Sequence, residues 1–152
     1  MLHLPELGLK FDEGKVKGID FSHYAVTTAH EEVRPHLVEA DIAELDFIPD
    51  KSYDLIFSND VLEHLTEGQI RSCLLHCQRI AKKRIVHLIS IGDGANMPLG
   101  VIPEDQDQSH ITLRSYQWWV GAFHNIFDDV KTKLIKVEPH GRTIEIVVDR
   151  RP

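Results

Sequence analysis

Three short apolar segments, each ending on an acid or an amide, constrain the fold of this chain more than any other feature of its sequence. They run from Lys15 to Asp20, from Leu37 to Asp41 and from Tyr53 to Asn59. After the first segment, Ser22 can cap a helix that we predict to continue to about Val33, where Pro35 stops it. Strands that alternate with helices favour a parallel sheet with helices on both of its faces.

The remaining sequence continues this alternation and ends in a hairpin. A capping box at Thr66–Gln69 opens a helix, and Arg84 to Ile91 is a fourth strand. Two helices have apolar faces at the required spacing, and those faces comprise Ile70, Cys73, Leu74, Cys77 and Ile80 in the first and Leu113, Tyr116, Val120, Phe123 and Phe127 in the second. Glu138–Gly141 supplies a turn between two final strands. We therefore predict one α/β domain over residues 1–152, with a mostly parallel sheet, flanking helices and a C-terminal antiparallel hairpin.

The composition restricts the class of protein. The chain has 152 residues, of which 42% are hydrophobic and 27% charged, and its formal net charge is −7. Proteins that bind nucleic acid usually present a basic face that neutralises phosphates, so the charge argues against such a partner. No apolar run approaches the ~20 residues of a membrane helix, and no secretory signal is recognisable. We expect a cytoplasmic protein without a membrane or nucleic-acid partner.

The sequence contains little that could bind a metal ion. Cys73 and Cys77 lie four residues apart on a predicted helix and share one face, but two thiols do not complete a four-ligand zinc site. The histidines form no His-x-x-x-His pair with an acid between them. We expect reduced core cysteines and no metal.

Polar residues at the ends of the predicted strands indicate a nucleoside site. In an open parallel sheet, ligands bind outside the carboxyl ends of the strands. Asp20 suits a vicinal diol, because one carboxylate can accept two hydroxyl hydrogen bonds. Phe21 offers an aromatic face to a base, and Asp41 can accept from an exocyclic amine. Together these residues suggest an adenosine pocket.

Two blocks of sequence resemble the class I S-adenosylmethionine-dependent methyltransferases of the small-molecule type. The block "VKGIDFSHYAV" is similar to the second strand and following helix of that family, and "VEADIAELDFIPDKSYDLIFSNDVLEHL" is similar to its third strand, acidic loop and fourth strand. The match covers roughly Lys15 to Ser90. The resemblance implies a Rossmann-like fold, S-adenosylmethionine as cofactor, and methyl transfer to a small-molecule acceptor such as a sugar or related metabolite.

The same resemblance implies which residues bind adenosine. Asp20 would hold the ribose hydroxyls, and Phe21 would pack on adenine. Asp41 and Ile42 would flank the edge of the base, with Asp41 accepting from its amino group.

The resemblance also implies a methionine side and a catalytic base. Asn59, Asp60 and Val61 would line the methionine portion and the mouth where the methyl group leaves. His64 is the first candidate for the base, because an imidazole can take up a proton near neutral pH. His110 is the second, since "DQSHITLRSYQWW" resembles the acceptor-side loop and helix of methyltransferases that act on sugars and related metabolites. In that helix, Trp118 and Trp119 could supply an apolar wall, although Trp119 also fits a core position.

The chain departs from the family pattern at its N-terminus. That pattern begins with a strand, a Gly-rich turn and a helix, whereas only "MLHLPELGLKFDEG" precedes Lys15. We therefore expect an N-terminally shortened domain. The position of the missing central strand could be filled by residues 2–4 in parallel with the strand at Tyr53, or by a strand from another copy or chain. It could also be vacant in a chain that binds cofactor poorly. An unpaired sheet edge would make a homo-oligomer plausible.

Two other functions compete with the enzyme. A non-catalytic or truncated relative that acts as a binding or scaffolding subunit is favoured by the missing Gly-rich turn. An NAD-type oxidoreductase also uses an acid after its second strand, but its pattern has no counterpart to "IPDKSYDLIFSNDVLEHL". The retained Asp20, Asp41 and Asn59 favour the methyltransferase.

Overall fold

The computed structural model describes residues 16–92, 109–137 and 141–150. The chain divides into two compact units, Met1–Glu44 and Leu45–Pro152, so a single domain over residues 1–152 stays a prediction. The strands are β1 (Gly18–Asp20), β2 (Leu37–Glu39), β3 (Tyr53–Asn59), β4 (Ala81–Ile91), β5 (Val130–Val137) and β6 (Gly141–Asp149). The α-helices are α1 (His23–Thr28), α2 (Glu67–Ile80) and α3 (Tyr116–His124), and short 3-10 turns occupy Arg34–His36 and Leu62–His64.

In the first unit, β1 and β2 pair in parallel, with Gly18 opposite Leu37 and Asp20 opposite Glu39. A Cβ atom on Gly18 would lie 2.6 Å from Leu37 Cδ2, so the glycine allows the close approach of the two strands. The parallel register places the carboxyl ends of β1 and β2 at the same edge, as the sequence predicted.

Helix α1 is shorter than predicted. Ser22 caps it as expected, but the helix ends at Thr28 and does not continue to Val33. The Thr27 and Thr28 hydroxyls donate to the backbone carbonyls of His23 and Tyr24, both at 2.7 Å. β-Branched residues that bond back to the preceding turn weaken a helix, and Ala29 then leaves the helical conformation.

The second unit contains a four-stranded sheet in the order β3-β4-β6-β5. Strand β4 pairs in parallel with β3 and antiparallel with β6, and β5 pairs antiparallel with β6. The predicted antiparallel hairpin is therefore confirmed, with β6 next to β4 and β5 at the edge. Residues 138–140 of its predicted turn lie outside the described residues.

Helix α2 begins with the predicted capping box. The Thr66 side chain accepts from the Gln69 N–H, and the Gln69 side chain accepts from the Thr66 N–H. All five residues of the predicted apolar face are buried: Ile70, Cys73, Leu74, Cys77 and Ile80. Both cysteines are free, and contact with Cys73 together with burial raises the pKa of the Cys77 thiol well above its ordinary value. This pair is a part of the core and not a reactive site.

The core of the second unit lies against one face of β4. That face alternates along the strand and carries Ile85, His87, Ile89 and Ile91. Helix α3 is shorter than the predicted pattern, because Leu113 and Phe127 lie outside it, although Phe127 is buried. No helix of the described ranges is long and apolar enough to cross a membrane.

Strand β3 differs from its prediction. Its apolar centre indicated a strand covered on both faces, but Leu55 and Phe57 are 48% and 45% exposed. Within the described parts of the chain, β3 pairs only with β4. The predicted pairing of residues 2–4 with β3 falls outside the described residues.

Candidate functional site

The end of β1 holds the Asp20 carboxylate in a defined orientation. Asp20 Oδ1 accepts a hydrogen bond of 2.8 Å from the Ser22 N–H, and Ser22 Oγ accepts one of 3.2 Å from the Ala25 N–H. The turn from strand to helix therefore directs the carboxylate. Within the described parts of the chain, Oδ2 accepts no hydrogen bond. A carboxylate has about four lone-pair positions, so Asp20 retains the capacity to bind hydroxyl groups.

The residues next to Asp20 and at the end of β2 provide an aromatic ring and a second acid. Phe21 is 81% exposed, an unusual state for a large aromatic side chain. Asp41 follows β2, and its Oδ1 accepts a hydrogen bond of 2.8 Å from the Ala43 N–H. Ile42 is half-buried beside it. The first unit thus places four of the predicted cofactor residues at or just after the carboxyl ends of its two strands.

In the second unit, the end of β3 presents an amide and a carboxylate that are bonded to one another. Asn59 Nδ2 donates to Asp60 Oδ2 at 2.8 Å, and Ser90 Oγ donates to Asp60 Oδ1 at 3.3 Å. Asp60 has φ of 51°, in the left-handed region that aspartate tolerates better than most residues. This conformation turns the chain away from β3 and leads through Val61 into the turn Leu62–His64.

The structure brings His64 and His110 together. Their ring centroids are 4.6 Å apart in an edge-to-face arrangement. His64 Nδ1 lies 3.2 Å from the carbonyl oxygen of Ser109 and 3.0 Å from its hydroxyl. The carbonyl oxygen can only accept from an Nδ1–H, whereas the nearer hydroxyl can also donate to an unprotonated Nδ1, so the contacts fit both tautomers of the ring. In the tautomer with the hydrogen on Nδ1, His64 has its lone pair at Nε2 and can act as a base through that nitrogen.

Trp118 and Trp119 do not form a common wall. Trp119 is fully buried, which confirms its interpretation as a core residue and excludes it from an apolar wall at the acceptor side. Trp118 is half-buried and carries the Arg114 guanidinium 5.8 Å above its ring. Arg114 also pairs with Glu67. A helix exposes neighbouring positions to different surroundings, which explains why adjacent tryptophans separate.

Two buried ionisable residues near these strands were not identified from the sequence. Glu63 is fully buried, and burial raises the pKa of its carboxyl above the ordinary value, with nearby Asp60 adding to the effect. His87 is also buried, and desolvation lowers its pKa to about 4. The alternating pattern of β4 places His87 between Ile85 and Ile89, a signal that could have revealed its burial. No comparable periodic signal exists for Glu63.

The described ranges contain no group of three or more His, Cys, Asp or Glu side chains that could hold a metal ion.

Comparison with known protein families identifies one match. The sequence model of a family described as "Methyltransferase domain" matches residues 2–88. The match includes both blocks in which the resemblance was found. A comparison with curated proteins finds no match.

Several solved structures have a similar fold. A SAM-dependent methyltransferase from Archaeoglobus fulgidus is 15% identical, with a TM-score of 0.73 over 97% of this chain and 79% of that protein. Geranyl diphosphate C-methyltransferase from Streptomyces coelicolor A3(2), solved with Mg²⁺, geranyl diphosphate and S-adenosyl-L-homocysteine, is 10% identical, with a TM-score of 0.68 over 90% and 65%. Magnesium protoporphyrin IX methyltransferase from Synechocystis PCC 6803, solved with SAM, is 16% identical, with a TM-score of 0.58 over 88% and 58%. These similarities confirm the predicted α/β, Rossmann-like fold.

Proposed function

The chain belongs to the family of S-adenosylmethionine-dependent methyltransferase domains, and from this premise we propose that it methylates a small organic acceptor. The predicted enzyme class and cofactor are confirmed with the family. Two structural neighbours are named for methylation of geranyl diphosphate and of magnesium protoporphyrin IX, which supports a small-molecule acceptor. A sugar or related metabolite is our proposal for its class.

The observation that carries this proposal is the arrangement of Asp20 and Phe21. Asp20 is oriented by the Ser22 N–H and retains acceptor capacity at Oδ2, which suits the two adjacent hydroxyls of a ribose. Phe21 exposes its ring immediately beyond this carboxylate and could stack on adenine. Asp41 would accept from the adenine amino group, and Ile42 would contact the edge of the base. These residues fit the nucleoside part of the cofactor.

The residues after β3 are the ones for which the family resemblance implies a role at the methionine part of the cofactor. Asn59 and Asp60 hold one another and offer an amide and a carboxylate to polar groups of the methionine portion. The left-handed conformation of Asp60 sets the direction in which the backbone continues from Asp60 into Val61. We assign Asn59, Asp60 and Val61 to the methionine side and the mouth for methyl transfer.

S-adenosylmethionine supplies an electrophilic methyl group on a sulfonium, and the protein orients the acceptor and removes its proton. His64 is suited to take that proton through Nε2, because Nδ1 is engaged with Ser109. A positioned base of this kind contributes roughly 10²–10⁴ in rate. His110 is the second candidate, since its ring lies against that of His64.

Binding of the cofactor tests this proposal. Isothermal titration of the full chain with S-adenosylmethionine and S-adenosylhomocysteine should give micromolar affinity. Asp20→Asn should weaken it at least about tenfold, the effect of losing one charge-assisted hydrogen bond. The asparagine keeps an acceptor for the Ser22 N–H, so the start of α1 is retained. Asp46→Asn, at an exposed loop position, is the matched control and should bind like the wild type.

A folded wild-type protein that binds neither ligand would contradict the proposal. That outcome would favour the non-catalytic binding or scaffolding subunit. If Asp20→Asn bound S-adenosylmethionine as tightly as the wild type, the proposed cofactor would stand and the assignment of Asp20 to the ribose would be rejected.

A further inference from the structure

The function proposed above assigns no role to the carboxyl group of Glu63. It is fully buried in a short turn, next to the candidate base His64. A buried carboxyl destabilises a protein unless hydrogen bonds replace its lost hydration. Within the described residues, Oε1 has a hydrogen-bond partner and Oε2 has none, so the partner of Oε1 and those of the backbone show what holds this turn in place.

Glu63 ties its turn to two other segments of the second unit. Its Oε1 accepts a hydrogen bond of 2.8 Å from the Ser90 N–H near the end of β4. Its backbone carbonyl accepts one of 2.9 Å from the Thr112 N–H. Thr112 is itself buried, and its hydroxyl donates to the Leu65 carbonyl. The turn is thus held by β4 on one side and by Thr112 on the other.

The segment that contains Thr112 also carries the surroundings of His64. His64 Nδ1 contacts Ser109, three residues before Thr112, and His110 lies between these two residues in the sequence. A shift of the Glu63 turn would therefore move His64 relative to Ser109 and to the His110 ring. The hydrogen bond from the Ser90 N–H to the Glu63 carboxyl is part-buried, and a low local dielectric makes it stronger than one in water, so it opposes such a shift.

We propose that Glu63 is a positioning residue, whose buried carboxyl sets the orientation of the His64 ring and its contacts with Ser109 and His110. The inference rests on the proposed function, since this orientation affects methyl transfer only if His64 is the base. A general base loses effect when it is misplaced by a fraction of an ångström to an ångström.

The hydrogen bond that Glu63 accepts determines suitable substitutions. Its Oε1 accepts from the Ser90 N–H, and glutamine reproduces that acceptor with nearly the same shape. Methionine keeps the length but has no comparable acceptor. Aspartate keeps the carboxyl but is one methylene too short to reach the same position.

Histidine NMR tests the inference without a known acceptor. The protein is labelled with ¹³C-histidine, and the His64 ring signal is assigned through His64→Gln. When no other residue is substituted, His110→Gln should change the chemical shift of the His64 ring signal, because the two rings are in contact. We expect the same shift in the Glu63→Gln background. In the Glu63→Met and Glu63→Asp backgrounds, the His64 signal should move and its response to His110→Gln should be lost.

The inference would be overturned if folded Glu63→Met or Glu63→Asp kept the wild-type His64 signal and its change on His110→Gln. A lower melting temperature of these variants would not alter that conclusion. If Glu63→Met does not fold, the comparison of Glu63→Asp with Glu63→Gln decides the question. Titration of the wild type with S-adenosylmethionine separates this result from the proposed function. If the protein does not bind S-adenosylmethionine but the His64 signal still depends on Glu63, the proposed enzyme function is rejected. If the protein binds S-adenosylmethionine normally but the His64 signal does not depend on Glu63, only the positioning role is rejected.

Discussion

The buried imidazole of His87 should make the stability of the second unit depend on pH. His87 is 1% exposed and lies edge-to-face against Phe123, with 5.5 Å between the ring centroids. Its Nδ1 is 2.6 Å from Ser58 Oγ, and its Nε2 has no hydrogen-bond partner in the part of the chain that the structure describes. Protonation in the folded state would therefore place a charge in an apolar environment, which is why the pKa falls to about 4.

The sign and size of the effect follow from the difference between folded and unfolded states. In the unfolded chain, His87 takes up a proton near its ordinary pKa of 6.5, whereas the folded protein resists until about pH 4. Between these values the unfolded state binds more protons, so the free energy of unfolding decreases as pH falls. At about 1.4 kcal/mol for each pKa unit, the full loss is roughly 3 kcal/mol, and from pH 7 to pH 5 it is roughly 2 kcal/mol.

Urea unfolding of the wild type and His87→Gln at pH 7 and pH 5 measures this term. Tryptophan fluorescence reports the second unit, because Trp118 and Trp119 both lie there. The stability difference between wild type and variant should change by roughly 2 kcal/mol in favour of the variant as pH falls. Glu63 has a raised pKa and acts in the opposite direction, but it is common to both proteins and cancels.

His124→Gln provides the matched control, since His124 is exposed at the end of α3. This variant should keep the pH dependence of the wild type. If His87→Gln also kept the pH dependence of the wild type, the reasoning would be refuted, because the pKa of His87 would then be the same in the folded and unfolded states.

Three further predictions concern the second unit. Thr66→Ala removes the capping box of α2 and should lower the free energy of unfolding by about 1 kcal/mol in urea, with an unchanged value speaking against the cap. Gly121→Ala should raise it by about 0.5–1 kcal/mol, because Gly121 is inside α3 and an added Cβ meets nothing within 4 Å; a loss of stability would contradict the helix position. His64→Gln should leave the Kd for S-adenosylmethionine within about twofold and lower the rate of S-adenosylhomocysteine production, in a screen of hydroxylated metabolites, about 10²-fold or more. Equal turnover by both proteins would reject His64 as the base.

Much of the fold could be predicted because its signals are local in the sequence. The capping box at Thr66 and the helical spacing from Ile70 to Ile80 both correspond to observed structure. A helix needs only contacts within one or two turns to reveal its ends and its apolar face. Where local signals conflict, prediction failed, as in α1, whose threonine hydroxyls end the helix before the proline does.

The sequence by itself determined the strand-end residues, since an acid or amide that follows an apolar run lies at the carboxyl end of a strand. Asp20 and Asn59 are the last residues of β1 and β3, and Asp41 follows β2 by two residues. The family could be inferred from the two sequence blocks that contain these residues. Burial and contact are different, because they depend on segments that are distant in the chain. Only the tertiary structure brought His64 within reach of Ser109 and His110, 45 and 46 positions later. Only the tertiary structure removed the Glu63 carboxyl from water, because its partners come from β4 and from Thr112.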